Sequence, residues 1–234
     1  MALRIVECRS PNHDERPKGA PIDMLVLHYT GMRTADEALA RLTDPAAKVS
    51  AHYTIGRDGR VYAHVPEPLR AWHAGLSWWA GETNVNARSI GIELVNPGHE
   101  FGYEPFPEAQ IAALMDLARG ILARHPIPPA RVVGHSDVAP ARKLDPGELF
   151  PWKTLAEFGI GLWPHVKFTD RRECNAADLA RFGYGIPPHT EVPLDVVISA
   201  FQRHFRPAEI NGLWDGECAS ALATLLSPRA VSPQ

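Results

Sequence analysis

The chain carries 11 histidines in 234 residues, and two of them stand where a rigid backbone could aim them. His28 falls near the end of the apolar run Met24-Leu-Val-Leu-His-Tyr-Thr30. His135 directly follows Arg131-Val-Val-Gly134, and Asp145 comes ten residues later, in Ala141-Arg-Lys-Leu-Asp-Pro-Gly147. Two imidazoles and one carboxylate, with the fourth position left to water, make an open catalytic zinc site. Such a site needs side chains held rigidly at a pocket, and strand ends do that. Spacing alone leaves the other reading open, because a histidine is more often a surface or satisfied core residue than a ligand. Glu93 is the next candidate. In Ser89-Ile-Gly-Ile-Glu-Leu-Val95 the alternation of a strand puts Ile90, Ile92 and Leu94 on one face and Gly91, Glu93 and Val95 on the other.

The elements that must position these residues are legible in outline. Met24–Thr30, bounded by Pro21 and Gly31, suits a buried strand. Thr34–Leu42 has helical spacing, with Ala35, Ala38, Leu39 and Leu42 on one side. Residues 50–55 and 60–65 flank Asp58-Gly59 and read as a β-hairpin. Pro107–His125 is the best helix, with Ile111, Leu114, Ala118, Ile121 and Leu122 in the 3,4 pattern and Pro126 as its stop. Strands alternating with helices predict an α/β fold, a central mixed β-sheet flanked by helices. Residues 1–20 read as an irregular polar arm. Gly159–Pro164 reads as a boundary, dividing a catalytic domain at 1–164 from a small helical domain at 165–234. The second unit is predicted to hold three helices, over 176–182, 193–205 and 215–226, with Asp215 as the N-cap of the last.

Composition removes several classes. A net charge of −3 argues against a nucleic-acid partner held by phosphate neutralisation. No stretch approaches the length of a membrane span. Hydrophobic residues at 45% and charged residues at 22% fit a globular protein with a real core. Cys8, Cys174 and Cys218 are an odd set without metal-like spacing and read as reduced structural thiols. The opening residues lack an apolar run of signal length, so a cytoplasmic location is expected. The alternative is the periplasm or envelope, with a signal segment removed.

Six strings occur in order: Leu27-His-Tyr-Thr30, Ser50-Ala-His-Tyr53, Ala71-Trp-His-Ala-Gly75, Ser89-Ile-Gly-Ile-Glu93, Gly134-His-Ser-Asp-Val-Ala-Pro140 and Arg142-Lys-Leu-Asp-Pro-Gly147. This set resembles the zinc-dependent N-acetylmuramoyl-L-alanine amidases of the type-2 amidase family, a fold shared with animal peptidoglycan-recognition proteins. The resemblance covers roughly residues 20–165. Phe201-Gln-Arg-His-Phe-Arg-Pro207 and Asn211-Gly212 resemble the peptidoglycan-binding-like helical domain that follows the amidase in a subgroup.

The resemblance implies zinc held by His28, His135 and Asp145, Glu93 as general base and Lys143 as the cation beside the transition state. It implies Trp72, His73, Lys48, Asn86 and Arg88 as substrate contacts. Lysine at position 48, where arginine is common, would make a point contact and not a bidentate clamp. The implied reaction is hydrolysis of the amide between the lactyl group of N-acetylmuramic, or 1,6-anhydro-N-acetylmuramic, acid and L-alanine of the stem peptide. The implied partners are muropeptides or peptidoglycan fragments, acted on by a monomer. Two rivals are an inactive peptidoglycan-binding module of the same fold and a zinc peptidase cutting within the stem peptide.

Overall fold

The computed structural model describes residues 3–165 and 174–227. In chain order the strands are β1 (Ile5–Glu7), β2 (His13–Glu15), β3 (Met24–Tyr29), β4 (Tyr53–Ile55), β5 (Val61–Ala63), β6 (Leu69–Ala71), β7 (Ser89–Leu94) and β8 (Val132–Gly134). The helices are α1 (Ala35–Thr43), α2 (Val85–Arg88), α3 (Gly98–Phe101), α4 (Glu108–Arg124), α5 (His135–Val138), α6 (Trp152–Glu157), α7 (Leu179–Phe182), α8 (Leu194–Phe205) and α9 (Gly216–Leu225).

Six strands form one mixed sheet in the order β1-β5-β4-β7-β3-β8. β3 runs parallel to both neighbours, β7 and β8, and β4 runs parallel to β7. β4 and β5 are the expected antiparallel hairpin, and Gly59 supplies the positive φ of its turn (81°). The α/β expectation with a mixed central sheet therefore holds.

Residues 1–20, expected to be irregular, instead contribute two strands: β1 pairs with β5, and β2 pairs with β6 in a separate ribbon. Such short strands carry no periodicity of their own; their partners define them. The same segment sends Arg16 inward. Its guanidinium donates to the carbonyls of Glu67, Asn86, Ala87 and Ser89 and lies against the edge of the His52 ring. His52 accepts from the Gly91 N–H at 2.9 Å, so it is a core residue that braces the sheet.

The two faces of the sheet are covered differently. Leu25, Leu27, Ile90, Ile92 and Leu94 pack against Ile111, Leu114, Leu117, Ala118 and Ile121 of α4. Met24, Val26 and Val133 point the other way. They join a second cluster with Val138 of α5 and with Phe182, Val197, Phe201 and Leu222 of the helical tail. Asp215 caps α9 as expected, accepting from the Cys218 N–H at 2.9 Å.

The sheet's second face and the tail share one hydrophobic cluster. Phe201 is fully buried there, with ring contacts to Tyr184, Phe205 and Trp214. Phe201→Ala is expected to cost about 3–5 kcal/mol. Urea unfolding should show that loss with a single transition shared by tail and sheet.

Candidate metal centre and active site

The site grows from strand register. His28 pairs with Glu93 across β3 and β7, and Leu27 pairs with Gly134 of β8. Three parallel strands thus end side by side, which places His28, Glu93 and His135 at their carboxyl ends. Open α/β sheets bind ligands at that edge. Asp145 arrives on the loop after α5, where its carbonyl accepts from the Ser136 N–H at 2.8 Å.

His28 Nδ1 lies 2.9 Å from His135 Nδ1 and 2.9 Å from Asp145 Oδ2, and His135 Nδ1 lies 3.1 Å from the same oxygen. All three residues are buried.

The tautomers follow from the far side of each ring. The Val85 carbonyl can only accept, so the Ser89 hydroxyl donates to it at 2.6 Å. Ser89 Oγ then accepts from His73 Nε2–H at 3.1 Å, and His73 Nδ1 accepts from His28 Nε2–H at 3.0 Å. His28 Nδ1 is left with a lone pair facing the cluster. His135 reaches the same state more simply, because its Nε2–H donates to the Ala74 carbonyl at 3.0 Å. Burial holds His28 down to about 4, aided by the neighbouring His135. Burial likewise keeps His73 well below the ordinary histidine value.

Two nitrogen lone pairs and a carboxylate oxygen facing one another repel unless a cation lies among them. A tetrahedron with bonds of about 2.0–2.1 Å has edges of about 3.3 Å. The donor set is slightly contracted relative to that, and fits a metal ion in nature, number and direction.

Glu93 sits beside this cluster. Its Oε2 is sealed from solvent and has no hydrogen-bond partner among the described residues. Burial, then the Asp145 charge, pushes its carboxyl well above the usual range, and Lys143 opposes them. A cavity of about 630 Å³ opens over the cluster, and Glu93, Lys143, Arg142 and Arg41 help to line it.

The expected substrate contacts fall in several places. His73 lines the cavity, but its polar atoms are committed to His28 and Ser89. Gly91 makes room for it: a Cβ there would lie 2.5 Å from the His73 ring. Trp72, Lys48, Asn86 and Arg88 are not among the cavity's lining residues. Trp72 Nε1 donates to Asp14 at 3.2 Å. Asn86 Oδ1 accepts from the N–H groups of His73 and Ala74, so it holds the segment that braces both histidines. Arg88 pairs with Asp23 and Glu82. Lys48 is exposed, on a positive φ of 50°. The sequence reading did not single out Arg41 of α1 or Arg142, the first residue of a quoted string, and both line the cavity. It also passed over Asp137, although Asp137 lies inside a quoted string.

Residues 18–148 match the N-acetylmuramoyl-L-alanine amidase family. The chain belongs to this family. It is a hydrolase of the amidase class. The N-acetylmuramoyl-L-alanine amidase AmiD of Escherichia coli is 43% identical over 230 aligned residues, covering 88% of this chain and 82% of AmiD. The 1,6-anhydro-N-acetylmuramyl-L-alanine amidase AmpD of Haemophilus influenzae is 35% identical over 170, covering 64% of this chain and 90% of AmpD. The structure of AmiD with the substrate anhydro-N-acetylmuramic acid-L-Ala-D-gamma-Glu-L-Lys superposes with a TM-score of 0.79, covering 93% of this amidase and 94% of that chain at 40% identity. AmpDh3 of Pseudomonas aeruginosa gives 0.79, covering 89% and 92% at 37% identity. Among the described residues no helix is long and apolar enough to cross a membrane.

His28→Ala removes one of three donors and should abolish metal retention. Elemental analysis of purified protein checks this: stoichiometric metal in the variant would remove His28 from the ligand set.

Proposed function

We propose that this amidase is a zinc enzyme that cleaves the bond between the lactyl group of N-acetylmuramic or 1,6-anhydro-N-acetylmuramic acid and L-alanine. The observation that carries the reading is the half-buried Glu93, whose Oε2 is sealed and unpartnered among the described residues, beside a convergent His28, His135 and Asp145 donor set in one cavity. Two nitrogens and one oxygen, with a position left open, suit zinc. Zinc there would supply Lewis acidity toward water and toward an amide carbonyl alike.

The chain's own residues do the rest. Glu93 takes a proton from the attacking water, whose oxygen forms the new bond to the lactyl carbonyl carbon. As the C–N bond breaks, Glu93 returns that proton to the alanine amine. Burial raises its pKa above the ordinary carboxylate value, which suits a group that must both accept and donate. Lys143 offers positive charge to the oxyanion from a loop stiffened by Pro146. Arg41 and Arg142 line the same cavity, and their charges suit the carboxylates of a stem peptide.

The relatives support the anhydro sugar as one substrate form, since AmpD is named for it and AmiD is solved with it. The catalytic unit is proposed as 1–164 and the helical unit as 165–234, of which 166–173 and 228–234 lie outside the described residues. A monomer is proposed as the working unit.

Mass spectrometry of digests tests the bond. Free peptide beginning with L-alanine is expected from anhydro-muropeptide, and chelation should stop its release. A shortened peptide still attached to sugar would overturn the assignment in favour of a peptidase. Glu93→Gln should keep its zinc and lose about 10²–10⁴-fold in kcat. Lys143→Ala should lose about 10²–10³-fold in kcat with little change in KM, read from initial rates.

A further inference from the structure

Asp137 is a buried carboxylate that the proposed reaction does not use. It lies two residues after the ligand His135, in the short helix α5 that β8 leads into. Oδ2 accepts from the Gly134 N–H at 2.7 Å, tying the side chain back to the residue just before His135. The remaining partners come from the helical tail. The Tyr184 hydroxyl donates to Oδ1 at 2.6 Å, and His204 Nδ1–H donates to Oδ2 at 2.7 Å.

These contacts are deeply enclosed. Asp137 and Tyr184 are each 1% exposed and His204 is 3% exposed. The His204 ring is stacked between Trp152 and Phe205, with centroids 3.7 and 3.8 Å away. It therefore cannot swing off Asp137 without breaking both stacks. Burial and the Asp137 charge push the Tyr184 phenol well above its ordinary value, so it stays a donor. Van der Waals packing alone would not need a carboxylate here. Burying one costs several kcal/mol unless it is hydrogen-bonded.

We infer that Tyr184 and His204 are positioning residues for the metal centre, acting through Asp137 to hold the Gly134–His135 backbone so that the His135 ring faces the other two donors. The tail is on this view a structural part of the catalytic site, whatever it binds besides. The geometry explains how. His135 has only one other fixed point on its ring, the Ala74 carbonyl, so its Nδ1 direction depends on where its backbone is held. Removing partners that orient a ligand typically weakens metal binding by about 10–100-fold.

The inference rests on the zinc reading above, and the two fail differently. A wild-type protein that binds no zinc would sink the reading itself. Variants that bind zinc as well as wild type would sink only the inference.

The test measures zinc affinity by competition with a chromophoric chelator, and the visible spectrum of the cobalt-loaded protein. Tyr184→Phe, which deletes one hydroxyl, is expected to weaken zinc binding about 10–100-fold and to shift the cobalt bands. His204→Phe should do the same. His204→Asn, whose amide can replace the Nδ1–H, should keep more affinity than His204→Phe. Leu222→Ala serves as the control, because it removes buried apolar surface from the tail without touching Asp137. It should lower the melting temperature and leave zinc affinity unchanged.

If His204→Phe does not fold, Tyr184→Phe carries the test. Unchanged zinc affinity and an unchanged cobalt spectrum in Tyr184→Phe would overturn the inference. So would a Leu222→Ala protein that loses as much zinc affinity as Tyr184→Phe.

Discussion

The site depends on which nitrogen of each histidine keeps its proton. Both ring orientations are dictated from behind by backbone carbonyls, Val85 through Ser89 and His73, and Ala74 directly. A carbonyl only accepts, so each chain of donors can run in one direction. That leaves two Nδ1 lone pairs turned toward Asp145 Oδ2. Asn86 reinforces both chains at once, since it holds the backbone of His73 and of Ala74. A change that displaces either chain would spoil the donor set without touching a donor.

The sheet makes this arrangement affordable in energy terms because its two faces do separate jobs. One face is sealed under α4 and supplies rigidity. The other carries Met24 and Val26 at one end of β3 and His28 at the other, so a single strand both packs the core and delivers a donor to the cluster. The helical tail covers the apolar end and stops short of the cavity. Arg203 in α8 lies 3.6 Å from Glu148, and Glu148 in turn meets His99 of the cavity lining. The tail therefore touches the surroundings of the site from two sides, through Asp137 and through Glu148.

Glu93 is where folding and function conflict. A buried carboxylate oxygen without a partner opposes stability. Its neighbours Ile92 and Leu94 belong to the α4 core and fix the strand, so the residue has no freedom to relax toward solvent. The same confinement raises its pKa and keeps it in the lining of the cavity beside the donor cluster.

The sequence by itself determined much of this protein. Period-2 alternation marked β7 and put Glu93 opposite its apolar face, because side-chain direction in a strand depends only on position parity. The 3,4 pattern marked α4, and Asp58-Gly59 marked the hairpin. The ordered strings carried the family and the set His28, His135, Asp145, Glu93 and Lys143. Tertiary structure decided what no local pattern encodes. Strand partners turned residues 1–20 into β1, β2 and an internal Arg16 bracket. Loop geometry moved Asn86 and Arg88 from expected groove residues to braces, since hydrogen-bond partners distant in sequence are chosen by folding. Asp137 shows the limit most clearly. Its neighbours in sequence identified the motif, but its meaning lies in Tyr184 and His204, 47 and 67 residues away, which only packing brings to it.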